Sequence, residues 1–321
     1  MSSRMTRVAA IQMDGRLGDL EYNLAHVKEL LAEATGRGAS VIAVPEFFTT
    51  TIALDTDGAV RACALPPENP ALDLLVETAT AHNALIGGSY LEKRTDGDVY
   101  NCYTLVRPDG TVTRHDKDMP TMIENAFYVG GSTDGIHQTA AGSVGTAVCW
   151  ETIRTQTVTR LQGKIDFLMT GSHWWTTPSN WWWGPIASVK KREAFREILA
   201  ASPSALSRLL GVANMHASHC GDLHALYPLL PSRHTGVKYD TTLMGETQIV
   251  DKTGEVVAKM TEQDGPGVID AEMDLTRGTP SMDLPTGFWI PQLTPLAKSV
   301  WWQQNFVAKR IYKRAKRNQE L

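Results

Sequence analysis

Val41-Ile42-Ala43-Val44-Pro45-Glu46 is an apolar, β-branched run halted by a proline, with a carboxylate set at its end. Such a run reads as a strand covered on both faces, because a half-exposed strand would alternate polar with apolar residues. A similar run, Val8 to Gln12, precedes it. Between the two, Leu20, Leu24, Val27, Leu30, Leu31 and Ala34 recur at helical spacing, so the segment is a strand–helix–strand unit. Further along, a helix is predicted over Ala71 to Ala81 and strands over Ala84 to Leu91, Tyr100 to Val106 and Thr111 to Arg114. Pro108-Asp109-Gly110 joins the last two strands as a hairpin turn. The pattern then repeats: strand Ser143 to Cys149, helix Thr155 to Gln162, strand Ile165 to Thr170, helix Val189 to Leu199 and strand Gly211 to Met215. Gly245 to Val250 and Glu255 to Met260 flank a second turn, Asp251-Lys252-Thr253-Gly254. Alternating strands and helices with inserted hairpins predict an α/β sandwich with helices outside the sheets.

With 321 residues the chain can bury about three quarters of its unfolded surface in one domain. Its 42% hydrophobic and 21% charged residues exclude a disordered, charge-driven chain. A net charge of -4 argues against a nucleic-acid-binding surface over the whole protein. Only the tail is basic, through Lys309, Arg310, Lys313, Arg314, Lys316 and Arg317. The opening MSSRMTRVAAIQMDG lacks a secretory apolar core and no stretch spans a membrane, so a cytoplasmic location is expected. Cys63, Cys102, Cys149 and Cys220 are too scattered for a disulfide framework, which leaves thiols available for chemistry.

Three positions could carry that chemistry. Glu46 sits where the ligand sites of α/β sheets gather, at the carboxyl end of a strand, although a lone glutamate there reads more readily as a solvated loop residue. Cys149 ends Val144-Gly145-Thr146-Ala147-Val148 and precedes a helical segment, a place that favours a thiolate. Its bland alternative is a small core hydrophobe. Lys117 lies in His115-Asp116-Lys117-Asp118-Met119-Pro120-Thr121-Met122-Ile123-Glu124 and alone would be surface charge.

Taken together, in this order and with these flanks, the three segments resemble the nitrilase, or carbon–nitrogen hydrolase, superfamily over roughly residues 5 to 275. The resemblance implies a four-layer α-β-β-α sandwich. It implies that Glu46 is the base, Lys117 the cation, Cys149 the nucleophile and Glu124 a second active-site carboxylate. Lys117 to Thr121 with Glu124, and Cys149-Trp150-Glu151, look most like the nitrile-hydrolysing branch, although Thr152 stands where that branch carries asparagine. A hydrolase domain is expected over residues 1–290, followed from Pro291, where the sequence turns apolar and then basic, by a C-terminal extension over residues 291–321 that packs on the body or on another subunit. The implied partners are a small nitrile or amide and further copies of the chain in a homo-oligomer. No nucleic acid, membrane, metal or organic cofactor is expected.

The expected activity is hydrolysis of a non-peptide carbon–nitrogen bond through a thioester on Cys149. An amide-forming acyltransferase would use the same thioester, and a binding protein on an inactive fold is the reading outside catalysis. A free thiol is only a few per cent ionised at neutral pH, so Glu46 must take its proton, which requires a carboxyl pKa lifted towards about 6 or 7. Trp150, Glu151, His173, Trp174 and Trp175 are candidate substrate contacts. For the tryptophans, including Trp181, Trp182 and Trp183, core or subunit packing is the alternative. His216, His219, Cys220 and His224 fit no zinc-site spacing and are expected in a loop bordering the site, with His234 on its rim. Glu246 is either a buried structural acid or a substrate contact.

Overall fold

Each predicted strand-and-helix unit is present, and the side of a strand on which a residue falls decides what it packs against. The computed structural model describes residues 5–54, 63–181, 189–232 and 235–318. His234, Trp182 and Trp183 lie outside the described residues. In chain order the elements are β1 (Met5–Asp14), α1 (Leu20–Gly36), β2 (Val41–Ala43), α2 (Pro70–His82), β3 (Leu85–Lys93), β4 (Val99–Val106) and β5 (Val112–Asp116). They continue with β6 (Ile136–Thr139), β7 (Gly142–Val148), α3 (Thr155–Leu161), β8 (Phe167–Ser172), α4 (Val189–Ala200), α5 (Ser202–Leu210) and β9 (Ala213–Pro228). β10 (Gly236–Val250), β11 (Val256–Thr261), β12 (Gly267–Asp274) and α6 (Pro295–Arg317) complete the chain.

One sheet runs β12-β1-β2-β3-β4-β5 and the other β6-β7-β8-β9-β10-β11. The end of β1 also pairs in parallel with β9, Gln12 opposite Ser218, which joins the sheets along one side into a nearly closed, barrel-like wall. Alternation does the rest. Val8, Ala10, Val41, Ala43 and Leu105 face inward and pack with Val144, Phe167, Met169, Ala213 and Met215 of the second sheet. Their neighbours Ala9, Ile11, Ile42, Ile86 and Val106 face outward and bury Val27, Leu31, Leu75 and Ala79 of α1 and α2. On the other side, Leu168 and Val212 pack with Val158 and Leu161 of α3 and Leu206 and Leu209 of α5. The result is the four-layer α-β-β-α sandwich.

β6, β12 and α5 went unrecognised in the sequence, being short, partly polar or without a clear period. The larger correction concerns β9. Instead of ending at Met215, it runs on to Pro228, 16 residues in all from Ala213. His216, His219 and Cys220 are therefore buried strand residues, not a loop. The long antiparallel pairing with β10 supplies the backbone partners that allow a polar sequence to stay extended. Met244-Gly245-Glu246 is a bulge in β10, with Gly245 and Glu246 at φ of 64° and 68°. Glu246 is an almost buried acid paired with Lys259 at 2.5 Å.

α6 lies on the body of its own chain. Val307, Ala308 and Ile311 join a core with Leu54, Leu91, Val99 and Tyr128, while Lys309, Arg310, Lys313 and Arg314 stay exposed. Asn125 donates to Asn305 Oδ1 at 2.7 Å, which ties the helix to the turn that carries Glu124.

Candidate active site

Three of the four catalytic candidates are placed by the end of a strand. Glu46 follows β2, Lys117 follows β5 and Cys149 follows β7. β2 belongs to one sheet and β7 to the other, so the site forms where the two sheets meet. Gly171 of β8 makes that approach possible. A Cβ there would stand 2.8 Å from the backbone nitrogen of Glu46, so only glycine lets the chain of Pro45 and Glu46 cross so closely.

The side chains converge on one ammonium. Lys117 Nζ donates to Glu46 Oε1 at 3.0 Å and to Glu124 Oε2 at 2.6 Å, and all three side chains are wholly buried. Cys149 Sγ lies 4.0 Å from the other oxygen of Glu124. Asn101 donates to Glu46 Oε1 at 2.8 Å and the His173 backbone N–H to Glu46 Oε2 at 2.9 Å. Glu124 Oε2 also accepts the backbone N–H of Thr121 at 2.9 Å and the hydroxyl of Tyr128. Asn101 and Tyr128 escaped the sequence reading. Their only signals were an amide inside an apolar strand and a tyrosine four residues after Glu124.

The backbone is strained at the same places. Among the described non-glycine residues only Phe47, Asn83, Met122, Cys149 and Glu246 have positive φ. Cys149 itself is at 54°, Phe47 follows Glu46 at 55° and Met122 opens the turn of Glu124 at 50°. Left-handed geometry costs a side-chain-bearing residue of order 1–3 kcal/mol, so the packing around the site must hold it. At Cys149 the strain lifts the thiol out of the strand line at the strand-to-helix turn.

Burial dominates the proton affinities. It raises the Glu46 carboxyl to about 7; Lys117 pulls it back down and the Glu124 charge pushes it up. The Cys149 thiol is pushed well above its usual range by burial and by Glu46, with Lys117 opposing, so the resting group is a thiol. Burial works against the Lys117 charge, but negative charge on Cys149 when it ionises and on the two carboxylates outweighs that and raises its proton affinity well above the usual range.

Donor atoms of Glu46, Glu124 and Cys149 lie within 4.8 Å of one another, the spacing of a metal-ligand set. The Lys117 ammonium already bonds both carboxylates, so a cation there would face a fixed positive charge. His216, His219, Cys220 and His224 do not converge: along the extended β9 residues four apart stand about 13 Å from each other, which separates His216, Cys220 and His224, and His219 falls on the opposite side. His216 meets the hydroxyls of Thr170 and Ser172, His219 meets the carbonyl of Glu46 at 2.6 Å, and His224 pairs with Asp240 at the surface.

Trp150, His173, Trp174 and Trp175 line a cavity of about 430 Å³ that opens onto Cys149 and Glu124. Glu151 does not line it. Its buried carboxylate turns the opposite way, accepting from the backbone N–H groups of Val148 at 2.7 Å and Asp118 at 3.1 Å and from Arg160 at 3.0 Å, beside His115. Burial raises its proton affinity, but Arg160 and His115 more than reverse this and hold it well below the usual carboxylate range. Glu151 thus braces the turn of Cys149 from behind.

The model of the carbon–nitrogen hydrolase family matches residues 7–194, more than half of the chain and all four converging positions. The chain belongs to the carbon–nitrogen hydrolase family. Within it, the chain is similar to an omega-amidase of Yersinia enterocolitica, 31% identical over 51% of this chain and 61% of the relative. It is also similar to an aliphatic nitrilase of Sinorhizobium fredii, 29% identical over 49% of this chain and 57% of the relative. The matched part thus spans little more than half the length of these curated relatives. The fold is similar to that of a carbon–nitrogen hydrolase from Helicobacter pylori, with a TM-score of 0.65, 16% identity and coverage of 85% of this chain and 90% of the other. Among the described residues no helix is long and apolar enough to cross a membrane.

Proposed function

We propose that this member of the family hydrolyses a nitrile or amide to an acid and ammonia or an amine, with Cys149 as nucleophile. The observation that carries the reading is the bridging of Glu46 and Glu124 by Lys117 beside a buried, strained cysteine. As Sγ bonds to the substrate carbon, the thiol proton passes to Glu46. A carboxyl raised to about 7 suits that task, since it is basic at neutral pH and also returns the proton readily. Negative charge developing on the substrate heteroatom is met by the Lys117 ammonium and the backbone N–H of Trp150, a contribution of about 2.7–4 kcal/mol per donor in comparable sites.

For an amide, Glu46 then protonates the leaving nitrogen, the carbon–nitrogen bond breaks and a thioester remains on Cys149. For a nitrile, one water first adds to the thioimidate before ammonia leaves. Water deprotonated by Glu46 attacks the thioester, releases the acid and restores the thiol. Glu124 spends one oxygen on Lys117, Thr121 and Tyr128, which fixes the ammonium between the carboxylates. Ammonia release from nitriles and primary amides tests the proposal: wild type should turn over at least one class, and Cys149→Ala should remain folded without turnover. Substantial ammonia release by Cys149→Ala would remove Cys149 from the reaction.

A further inference from the structure

We infer that the substrate's acyl portion is a large, apolar, uncharged group, aromatic or long-chain aliphatic, and that acyl groups ending in a carboxylate are excluded. This deepens the proposed hydrolysis and rests on it. The cavity at Cys149 is about 430 Å³, far more than a reacting amide requires. Its walls are largely apolar and come from several separate parts of the chain. Trp175 and Trp181 stand on one side, Phe195 and Ile198 of α4 on a second, and Leu296 and Val300 at the start of α6 on a third. The C-terminal helix therefore shapes the pocket as well as packing on the body.

Charge is what the pocket lacks. Among the described residues lining it, Glu124 alone is charged, and it is an acid already committed to Lys117. His173 is the nearest thing to a counter-ion. Its ring is wholly buried and neither nitrogen has a hydrogen-bond partner, so it can offer a hydrogen bond to an uncharged group. Burial, His219 and Lys117 hold its proton affinity well below the usual imidazole range, so it supplies no positive charge at neutral pH. A carboxylate carried into this pocket would be desolvated beside aromatic rings with no cation among the described lining residues, which is far costlier than burying methylenes.

The test is a series of primary amides, acetamide, hexanamide, phenylacetamide and the monoamide of glutaric acid, followed by ammonia release. Binding of each to Cys149→Ala is measured by calorimetry in parallel. Each buried methylene should raise kcat/KM about fourfold, so hexanamide should exceed acetamide on the order of 10²-fold. The glutaric monoamide, of similar length, should fall below hexanamide by at least as much. Val300→Trp, which narrows the α6 wall, should lower the hexanamide-to-acetamide ratio by about tenfold or more. Acetamide equal to hexanamide, or a preferred glutaric monoamide, overturns the inference and leaves the hydrolysis intact. Selective binding of hexanamide by Cys149→Ala, with no turnover by wild type of hexanamide or of the corresponding nitrile, hexanenitrile, upholds the pocket's preference and overturns the hydrolysis. Neither binding nor turnover of any member, or of its nitrile, overturns both.

Discussion

Replacing Lys117 with methionine keeps the length of the side chain and removes the charge that Glu46 and Glu124 share. Both contacts are short, 3.0 and 2.6 Å, and both carboxylates are fully buried, so neither can turn to water. Breaking a buried ion pair by deleting one partner costs about 3–5 kcal/mol, because the other partner is left desolvated and unpaired. The cost must also depend on pH. With the cation present Glu46 titrates at about 7, above its ordinary 4.5, so its contribution to stability is complete below 4.5 and lost as pH rises through 7. Without the cation the two carboxylates repel unopposed and the carboxyl pKa of Glu46 climbs further. Above about pH 7 the folded variant then holds one proton more than folded wild type. Its deficit should grow by about 1.4 kcal/mol per pH unit there and level off below. Urea unfolding of both proteins between about pH 6 and pH 9 measures this. A deficit that is absent, or the same at every pH, would refute the idea that Lys117 neutralises both carboxylates. Ammonia release by the variant should fall by about 10²–10³-fold.

Three further outcomes follow from other parts of the site. In wild type, kcat/KM should rise with pH through an inflection near 7, belonging to the coupled cluster of Glu46, Lys117, Glu124 and Cys149. Glu46→Gln should abolish the inflection and lower turnover by about 10²–10⁴-fold, read from pH–rate profiles. Gly171→Ala should fold, yet lose activity by at least about tenfold, because the added Cβ, 2.8 Å from the Glu46 nitrogen, must push the base off its position; full activity would show that the crossing has slack. Glu151→Gln should cost about 1–3 kcal/mol in urea unfolding, since Arg160 and two backbone N–H groups lose a charged acceptor. The carboxylate is held below its ordinary pKa, so its contribution is present at neutral pH and disappears as wild type is acidified, which Glu151→Gln should not show.

The sandwich was legible because its strands are covered on both faces and its outer helices are amphipathic, and both patterns survive in composition alone. Val41 to Val44 and Val144 to Val148 needed no tertiary information to read as strands ending in reactive side chains. What stayed hidden depended on contacts between distant segments. β9 looked like a loop because His216, Ser218 and His219 are polar, and their burial makes sense only once Thr170, Ser172 and the Glu46 carbonyl stand opposite them. Glu151 was read as a substrate contact from its place beside Cys149, but a tight turn sends adjacent side chains in different directions. Asn101 and Tyr128 hold the carboxylates from a strand and a turn that sequence reasoning had no cause to bring together. The tryptophans left packing and pocket open as alternatives. Trp174 does both, lining the cavity while stacking on His216 at 4.8 Å between ring centres.

The proposed reaction turns on a covalent bond between the Cys149 sulfur and the substrate's acyl carbon. Intact-protein mass spectrometry on acid-quenched reactions, followed by peptide mapping, observes that bond directly. The expected result is a mass increase equal to the acyl group, confined to the peptide that holds Cys149, lost on standing with substrate exhausted, and absent from Cys149→Ala. Turnover accompanied by an unmodified Cys149, or by an acyl group on Cys102 or Cys220 that rises and decays with the reaction, would contradict it.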